Sequence, residues 1–196
     1  MKYPITAIVL AGGKSSRMGR DKALLPLQNH QTLSEFQYQK LQKYFKEVFL
    51  CAKTDKFSFT ENIILDSYTQ SSPLAGILSI FETLNIDAAF ILGVDIPLLD
   101  RYTIKKLWDA YQETLKTKQP NIDAIVAQSP SGLQPLCGIY KKSILPRAQT
   151  NYHTNIHQLK ALLHDDSTKR VYFEKNTPFT NINTPKEYLN LLGKFN

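Results

Sequence analysis

Residues 5–22 read Ile-Thr-Ala-Ile-Val-Leu-Ala-Gly-Gly-Lys-Ser-Ser-Arg-Met-Gly-Arg-Asp-Lys. From Ile5 to Leu10 every side chain is apolar or β-branched, and the run stops at Gly12-Gly13. A short stretch with no polar face is the pattern of a strand buried on both sides, which needs helices above and below it. Further along, similar runs at Val48 to Ala52, Asn62 to Leu65 and Ala88 to Val94 alternate with amphipathic segments. Residues 33–46 bring Leu33, Phe36, Leu41 and Tyr44/Phe45 near one helical face, with lysines and glutamines opposite. Ser72-Pro73 opens a helix carrying Ile77, Ile80, Phe81 and Leu84, and residues 103–116 form another around Trp108.

Past that point, Ala124 to Gln128 and Leu136 to Tyr140 read as strands flanking the turn Ser129-Pro130-Ser131-Gly132. A helix is predicted over Thr154 to His164, a strand over Arg170 to Phe173 and a last helix over Pro185 to Leu192. Alternating strands and helices predict an α/β fold, a mainly parallel sheet covered on both faces, with one antiparallel insertion near 124–140. No repeat, low-complexity tract or long linker divides the chain, so a single three-layer domain over residues 1–196 is expected.

Composition narrows the classes. A chain of 196 residues, 42% of them apolar, builds its core without covalent staples. Two cysteines, Cys51 and Cys137, are too few for a disulfide framework or a four-thiolate zinc site and suit a reducing compartment. The apolar run after Met1-Lys2-Tyr3-Pro4 is shorter than a signal-peptide core, and no run approaches the roughly 20 residues of a membrane span. A cytoplasmic protein with no membrane contact is expected. The formal charge of +7 points to an anionic partner without naming it.

The glycine turn gives that charge a location. Three of the chain's 8 glycines, Gly12, Gly13 and Gly19, fall in one window together with Lys14, Arg17, Arg20 and Lys22. Glycines directly after a strand let the backbone turn sharply and bring N–H groups close to a phosphate. A Walker A loop would need glycine where Ile8 stands, and the dinucleotide fingerprint fails because Gly12 and Gly13 are adjacent and Arg17 replaces its last small residue. The plain alternative is a strand-to-helix loop with a solvated basic stretch; four cations around one turn favour a functional loop.

Leu10-Ala11-Gly12-Gly13-x-Ser-x-Arg17-Met18-Gly19-x-Asp21-Lys22 resembles the opening motif of the molybdenum cofactor guanylyltransferases, within the superfamily of sugar-nucleotide-type nucleotidyltransferases. Most of that superfamily begins Leu-Ala-Ala-Gly; the second glycine and the Asp-Lys pair mark the molybdopterin branch. Ser-Pro-Leu-Ala-Gly at 72–76, Val-Asp-Ile-Pro at 94–97 and Asn-Ile-Asn-Thr-Pro at 181–185 agree, with Gln134-Pro135-Leu136 as a weaker match. The resemblance therefore runs along nearly the whole chain and implies a Rossmann-like nucleotidyltransferase fold.

It also implies roles. Asp95 would be a Mg²⁺ ligand beside the nucleotide α-phosphate, as a hard oxygen donor at the carboxyl edge of a parallel sheet; the alternative is an Asp capping the turn before Pro97. Arg17 and Lys22 would neutralise the triphosphate and the departing pyrophosphate. Leu10, Ala11 and Gly12 would offer backbone groups to base and ribose, and Asp66 would contact the nucleotide or simply start a turn at Ser67. Asn181 and Asn183 would lie on a loop facing the substrate, or cap the helix at Pro185. Cys51 stands where the family often has an asparagine, and a thiol replaces an amide poorly.

The implied reaction is transfer of GMP from Mg-GTP to the terminal phosphate of molybdopterin, releasing pyrophosphate, with cofactor-biosynthesis or acceptor proteins as further partners. Cytidylyl transfer or a sugar-phosphate acceptor is the alternative within the class. A basic, non-catalytic nucleic-acid-binding protein is the alternative outside it, without a helix-turn-helix, zinc-finger or stacking motif to support it. His153, His157 and His164 carry no acidic or cysteine partner at metal spacing, and lysines 40, 43, 46, 53 and 56 read as a solvated stripe.

Overall fold

The computed structural model of the chain describes residues 2–13, 18–117 and 121–195. In chain order the elements are β1 (Thr6–Leu10), α1 (Leu33–Gln42), β2 (Val48–Ala52), β3 (Ile63–Leu65), α2 (Pro73–Thr83) and β4 (Ala88–Gly93). They are followed by α3 (Arg101–Lys116), β5 (Ala124–Ser129), β6 (Gly132–Lys141), α4 (Leu145–His153), β7 (Thr168–Tyr172) and α5 (Pro185–Leu192). Seven strands join one sheet in the order β3-β2-β1-β4-β6-β5-β7. Only β6 runs against its neighbours β4 and β5; every other pairing is parallel.

The period-two geometry of a strand sends successive side chains to opposite faces, and the core divides accordingly. Ala7 and Val9 of β1 and Phe90 and Leu92 of β4 join the layer under α1, α3 and α5. Ile8 and Leu10, with Ala89 and Ile91, join the layer under α2 and α4. Phe90 is fully buried and stacks on Phe45, ring centroids 5.0 Å apart, which ties the turn after α1 to the central strand. The fold class expected from the sequence is therefore the one observed. No helix among the described residues is long and apolar enough to cross a membrane.

Two expectations need correcting. The helix expected over Thr154 to His164 is absent; α4 lies earlier, entered through Pro146, and ends at His153. Asn155 adopts a φ of 60°, the left-handed conformation that stops a helix, and only a short 3-10 turn follows at Leu159–Leu162. The histidines thus share no helix face, and the described residues hold no group of three or more His, Cys, Asp or Glu placed for a metal. The lysine stripe is also not simply solvated. Lys40 donates to the Pro97 carbonyl at 2.8 Å, and burial pulls its ammonium down to about 8. Lys56 pairs with Asp21, and Lys53 donates to the Tyr68 carbonyl.

Candidate active site

After β1 the chain goes to β2 and β3 on one side, then crosses back to place β4 on the other. Such a reversal leaves a crevice beyond the carboxyl ends of the strands, where open α/β sheets bind ligands. A cavity of about 330 Å³ occupies that position. Its wall takes Leu10 to Gly13 from the end of β1, Cys51 and Ala52 from β2, Asp66 from just beyond β3, and Val94 and Asp95 from just beyond β4.

Lys22 enters from the loop after β1. It begins a 3-10 turn, Lys22–Leu24, whose start is capped by the Asp21 carboxylate accepting the Ala23 N–H at 3.0 Å. Its Nζ donates to Asp95 Oδ2 at 2.8 Å and to Asn183 Oδ1 at 3.1 Å. Three segments from the two ends and the middle of the sequence thus meet at one ammonium group. Lys22 and Asp95 are both largely covered, with side chains 16% and 17% exposed, so their charges interact through less screening than a surface pair would.

Asp66 is 7% exposed at the opposite end of the cavity. Its Oδ1 accepts the Tyr68 N–H at 3.0 Å and the Ser79 hydroxyl of α2 at 3.5 Å. The turn-forming role and a place in the cavity wall both hold for this residue. Cys51 lies close by, its thiol directed at the Gly76 carbonyl at 3.8 Å. Burial first, and the charge of Asp66 second, push that thiol up to about 12, so Cys51 is a neutral group at physiological pH.

At Gly76, α2 packs closely on the sheet. A Cβ would come within 2.9 Å of Leu10 Cδ2 and 3.6 Å of Cys51 Sγ. The helix starts where Ser72 accepts the Ala75 N–H at 3.1 Å, and Ser72, Pro73 and Gly76 line the cavity. Ser-Pro-Leu-Ala-Gly therefore docks a helix start against the cavity-facing edge of the sheet.

The sequence-derived site residues largely converge. Leu10, Ala11, Gly12, Lys22, Asp66, Asp95 and Asn183 all line this cavity. Asn181 is exposed and outside its wall. The helix start near it is capped by Thr184, in a reciprocal capping box with Glu187, while the Asn183 N–H also donates to Glu187 at 2.7 Å. Arg17 and Lys14 lie outside the described residues, and Arg20 is exposed. Two backbone groups of the turn are already used within the sheet: Ala11 N–H donates to the Cys51 carbonyl at 2.8 Å, and Leu10 O accepts from Val94 N at 3.1 Å. Asp21, Ala23, Ser71 and Leu136 complete the wall; Asp21 and Leu136 belong to the family motifs but had no role assigned to them. Asp21 also carried a local signal, as a cap-type residue two positions before Ala23, whereas Ala23 and Ser71 carried none.

Known proteins resemble the chain along most of its length. The family described as MobA-like NTP transferase domain matches residues 7–171. The molybdenum cofactor guanylyltransferase of Campylobacter jejuni subsp. doylei is 35% identical over 186 residues, spanning 94% of this chain and 93% of its own. The protein of the same name from Helicobacter pylori J99 is 32% identical over 197 residues, spanning 96% and 90%. Among solved structures, the molybdopterin-guanine dinucleotide biosynthesis protein A of Archaeoglobus fulgidus superposes with a TM-score of 0.81 at 19% identity, over 97% of this chain and 98% of its own.

Proposed function

From the chain's membership of the MobA-like NTP transferase family, which makes it a nucleotidyltransferase, we propose that it transfers GMP from Mg-GTP to the terminal phosphate of molybdopterin in the cytoplasm. An oxygen of the acceptor phosphate attacks the α-phosphorus, the bond from that phosphorus to the bridging oxygen breaks, and pyrophosphate leaves with the electron pair. The acceptor is ionised near neutral pH, so no general base is required, and catalysis rests on positioning and charge neutralisation. The observation that carries this reading is the meeting of Lys22 and Asp95 at 2.8 Å in the cavity beyond the carboxyl ends of β1 and β4.

In this reading Lys22, with Arg17, balances the charge of the triphosphate and the leaving pyrophosphate. Asp95 suits a divalent cation of the Mg²⁺ kind: it is one hard carboxylate beside space for phosphate oxygens, and Mg²⁺ is commonly held by about one or two carboxylates plus substrate oxygens and water. When bound, Mg²⁺ supplies further positive charge at those phosphate oxygens. Leu10, Ala11 and Gly12 offer backbone groups to base and ribose from the cavity wall, with Leu10 O and Ala11 N–H also engaged in the sheet. Asp66, an acceptor, suits the N1–H and N2–H₂ edge of guanine, and Asn183 aligns Lys22. Asn181 belongs to the same loop, outside the cavity wall, and in this reading contacts the acceptor pterin.

The test is pyrophosphate release from purified protein with Mg²⁺, intact molybdopterin and each nucleoside triphosphate in turn. GTP alone should support turnover. Release with CTP and not GTP overturns the base assignment, and no release with any of the four removes the reaction. Asp95→Ala should lower turnover by roughly 10²–10³-fold while the fold survives; unchanged activity overturns its role.

A further inference from the structure

The segment that carries Asp95 is held by its carbonyls as well as by its side chains, Val94 and Ile96 being buried in the core. The Val94 and Ile96 carbonyls accept from Gln37 Nε2 of α1 at 3.4 and 2.8 Å. Between them, the Asp95 carbonyl accepts from Ile182 N at 3.0 Å. One turn further along α1, Lys40 Nζ donates to the Pro97 carbonyl at 2.8 Å. Four consecutive carbonyls, those of residues 94 to 97, are thus tied to distant parts of the chain.

Gln37 is the unusual member. It is wholly buried on the core face of an amphipathic helix, where an apolar residue would be ordinary. Its orientation follows from chemistry: two carbonyls can only accept, so the amide NH₂ must face them. The cost is visible on the other side, where Gln37 Oε1 is buried with no hydrogen-bond partner among the described residues. A methionine or leucine would fill the same volume without an orphaned acceptor. The amide earns its place only through the two carbonyls it spans, and the residue between them is Asp95.

We propose that Gln37 is a positioning residue that fixes the Asp95 carboxylate for metal and phosphate binding, by gripping the backbone immediately before and after it. This rests on the reading of Asp95 as the metal ligand. Groups that orient a ligand without touching the metal typically change metal affinity or activity by roughly 10- to 100-fold when removed. The proposal therefore predicts a loss at the metal with little loss of fold.

The experiment measures Mn²⁺ affinity by electron paramagnetic resonance in the presence of GTP, together with kcat, KM for GTP and the melting temperature. Gln37→Met keeps the volume and removes both the donor and the orphaned acceptor. Gln37→Asn keeps an amide too short to reach, and covers the case in which Gln37→Met folds poorly. Leu41→Val, on the same helix, controls for general softening of the core. The expected result is Mn²⁺ binding weakened by roughly 10-fold and kcat lowered by roughly 10- to 100-fold in the Gln37 variants. KM for GTP should stay within about twofold, and Leu41→Val should keep wild-type Mn²⁺ affinity. Wild-type Mn²⁺ affinity in both Gln37 variants overturns the proposal, as does an equal loss in Leu41→Val. Asp95→Asn is measured alongside: if it retains Mn²⁺ while the Gln37 variants do not, the metal-ligand reading fails and takes this proposal with it. If Asp95→Asn loses Mn²⁺ and the Gln37 variants do not, only the proposal fails.

Discussion

Gly93, the last residue of β4, separates effects on stability from effects on chemistry. An alanine Cβ at this position would lie 2.8 Å from Asp95 Oδ1, and 3.1 and 3.2 Å from Leu136 Cβ and Cδ1. Carbon–oxygen contacts of the weakest useful kind sit at about 3.3–3.6 Å, so the carboxylate must retreat by roughly 0.5 Å or more. The backbone itself accepts alanine, since Gly93 is not among the positive-φ glycines. The substitution stiffens the unfolded chain, which stabilises by about 0.4–1 kcal/mol, while crowding against Leu136 costs about 1–3 kcal/mol. The net loss is then about 0–2.5 kcal/mol, a fall in Tm of no more than about 10 °C for a chain of this size.

Activity should respond far more. The displaced carboxylate is the one that pairs with Lys22 at 2.8 Å, and a misplacement of about 1 Å at a reacting centre costs on the order of 10²-fold. Gly93→Ala should therefore lower kcat by roughly 30- to 100-fold at a temperature where it is fully folded. Pyrophosphate release and thermal unfolding, measured on the same preparation, check both halves. Activity within threefold of wild type at unchanged Tm would refute the reasoning.

Two other consequences concern the sheet itself. Gly138 in β6 lies where a Cβ would meet the Ile125 carbonyl at 2.6 Å and Val126 Cα at 3.1 Å, both backbone atoms that cannot rotate away. Gly138→Ala should cost about 3 kcal/mol, lowering Tm by roughly 6–12 °C in a urea- or heat-unfolding comparison, and a loss under 1 kcal/mol would contradict the close approach. The Cys51 thiol, ordinarily titrating at 9.0, is raised to about 12 in the folded chain by burial. Between those values the unfolded chain has released a proton that the folded chain keeps, so stability present below pH 9 is lost as pH rises, by up to about 1.4 kcal/mol per unit. Any stability advantage of wild type over Cys51→Ala should shrink between pH 9 and 10.5; a constant difference counts against the buried, neutral thiol.

The central strands were legible because nothing competes with their pattern: β1 and β4 are buried on both faces, and only an unbroken apolar run satisfies that environment. The motif residues were legible as types suited to phosphate, and their convergence followed from the parallel topology, which gathers strand ends at one edge. What escaped notice was decided by single conformations or by distant partners. The helix expected at 154–164 depended on periodicity that one left-handed residue, Asn155, interrupts. Lys40 and Lys56 looked like surface charge because their acceptors, the Pro97 carbonyl and Asp21, are remote in sequence or separated by a strand. Gln37 was expected with the other glutamines opposite the apolar face of α1; it lies on the buried side, and only the carbonyls of residues 94 and 96 give it a reason.

The bond from Lys22 to Asn183 joins residues separated by 161 positions. It carries a larger loop-closure cost than the 73-position contact between Lys22 and Asp95, and it cannot form until almost the whole chain is available. On a ribosome the strands β1 to β4 emerge first and can assemble their shared edge while the last loop is still unmade. The site is in this sense completed from the carboxyl end: the nascent chain has the frame of a nucleotide site well before it has the asparagine that steadies its central cation. Molecules cut short during synthesis would thus retain most of the sheet yet lack the final polar contact on Lys22.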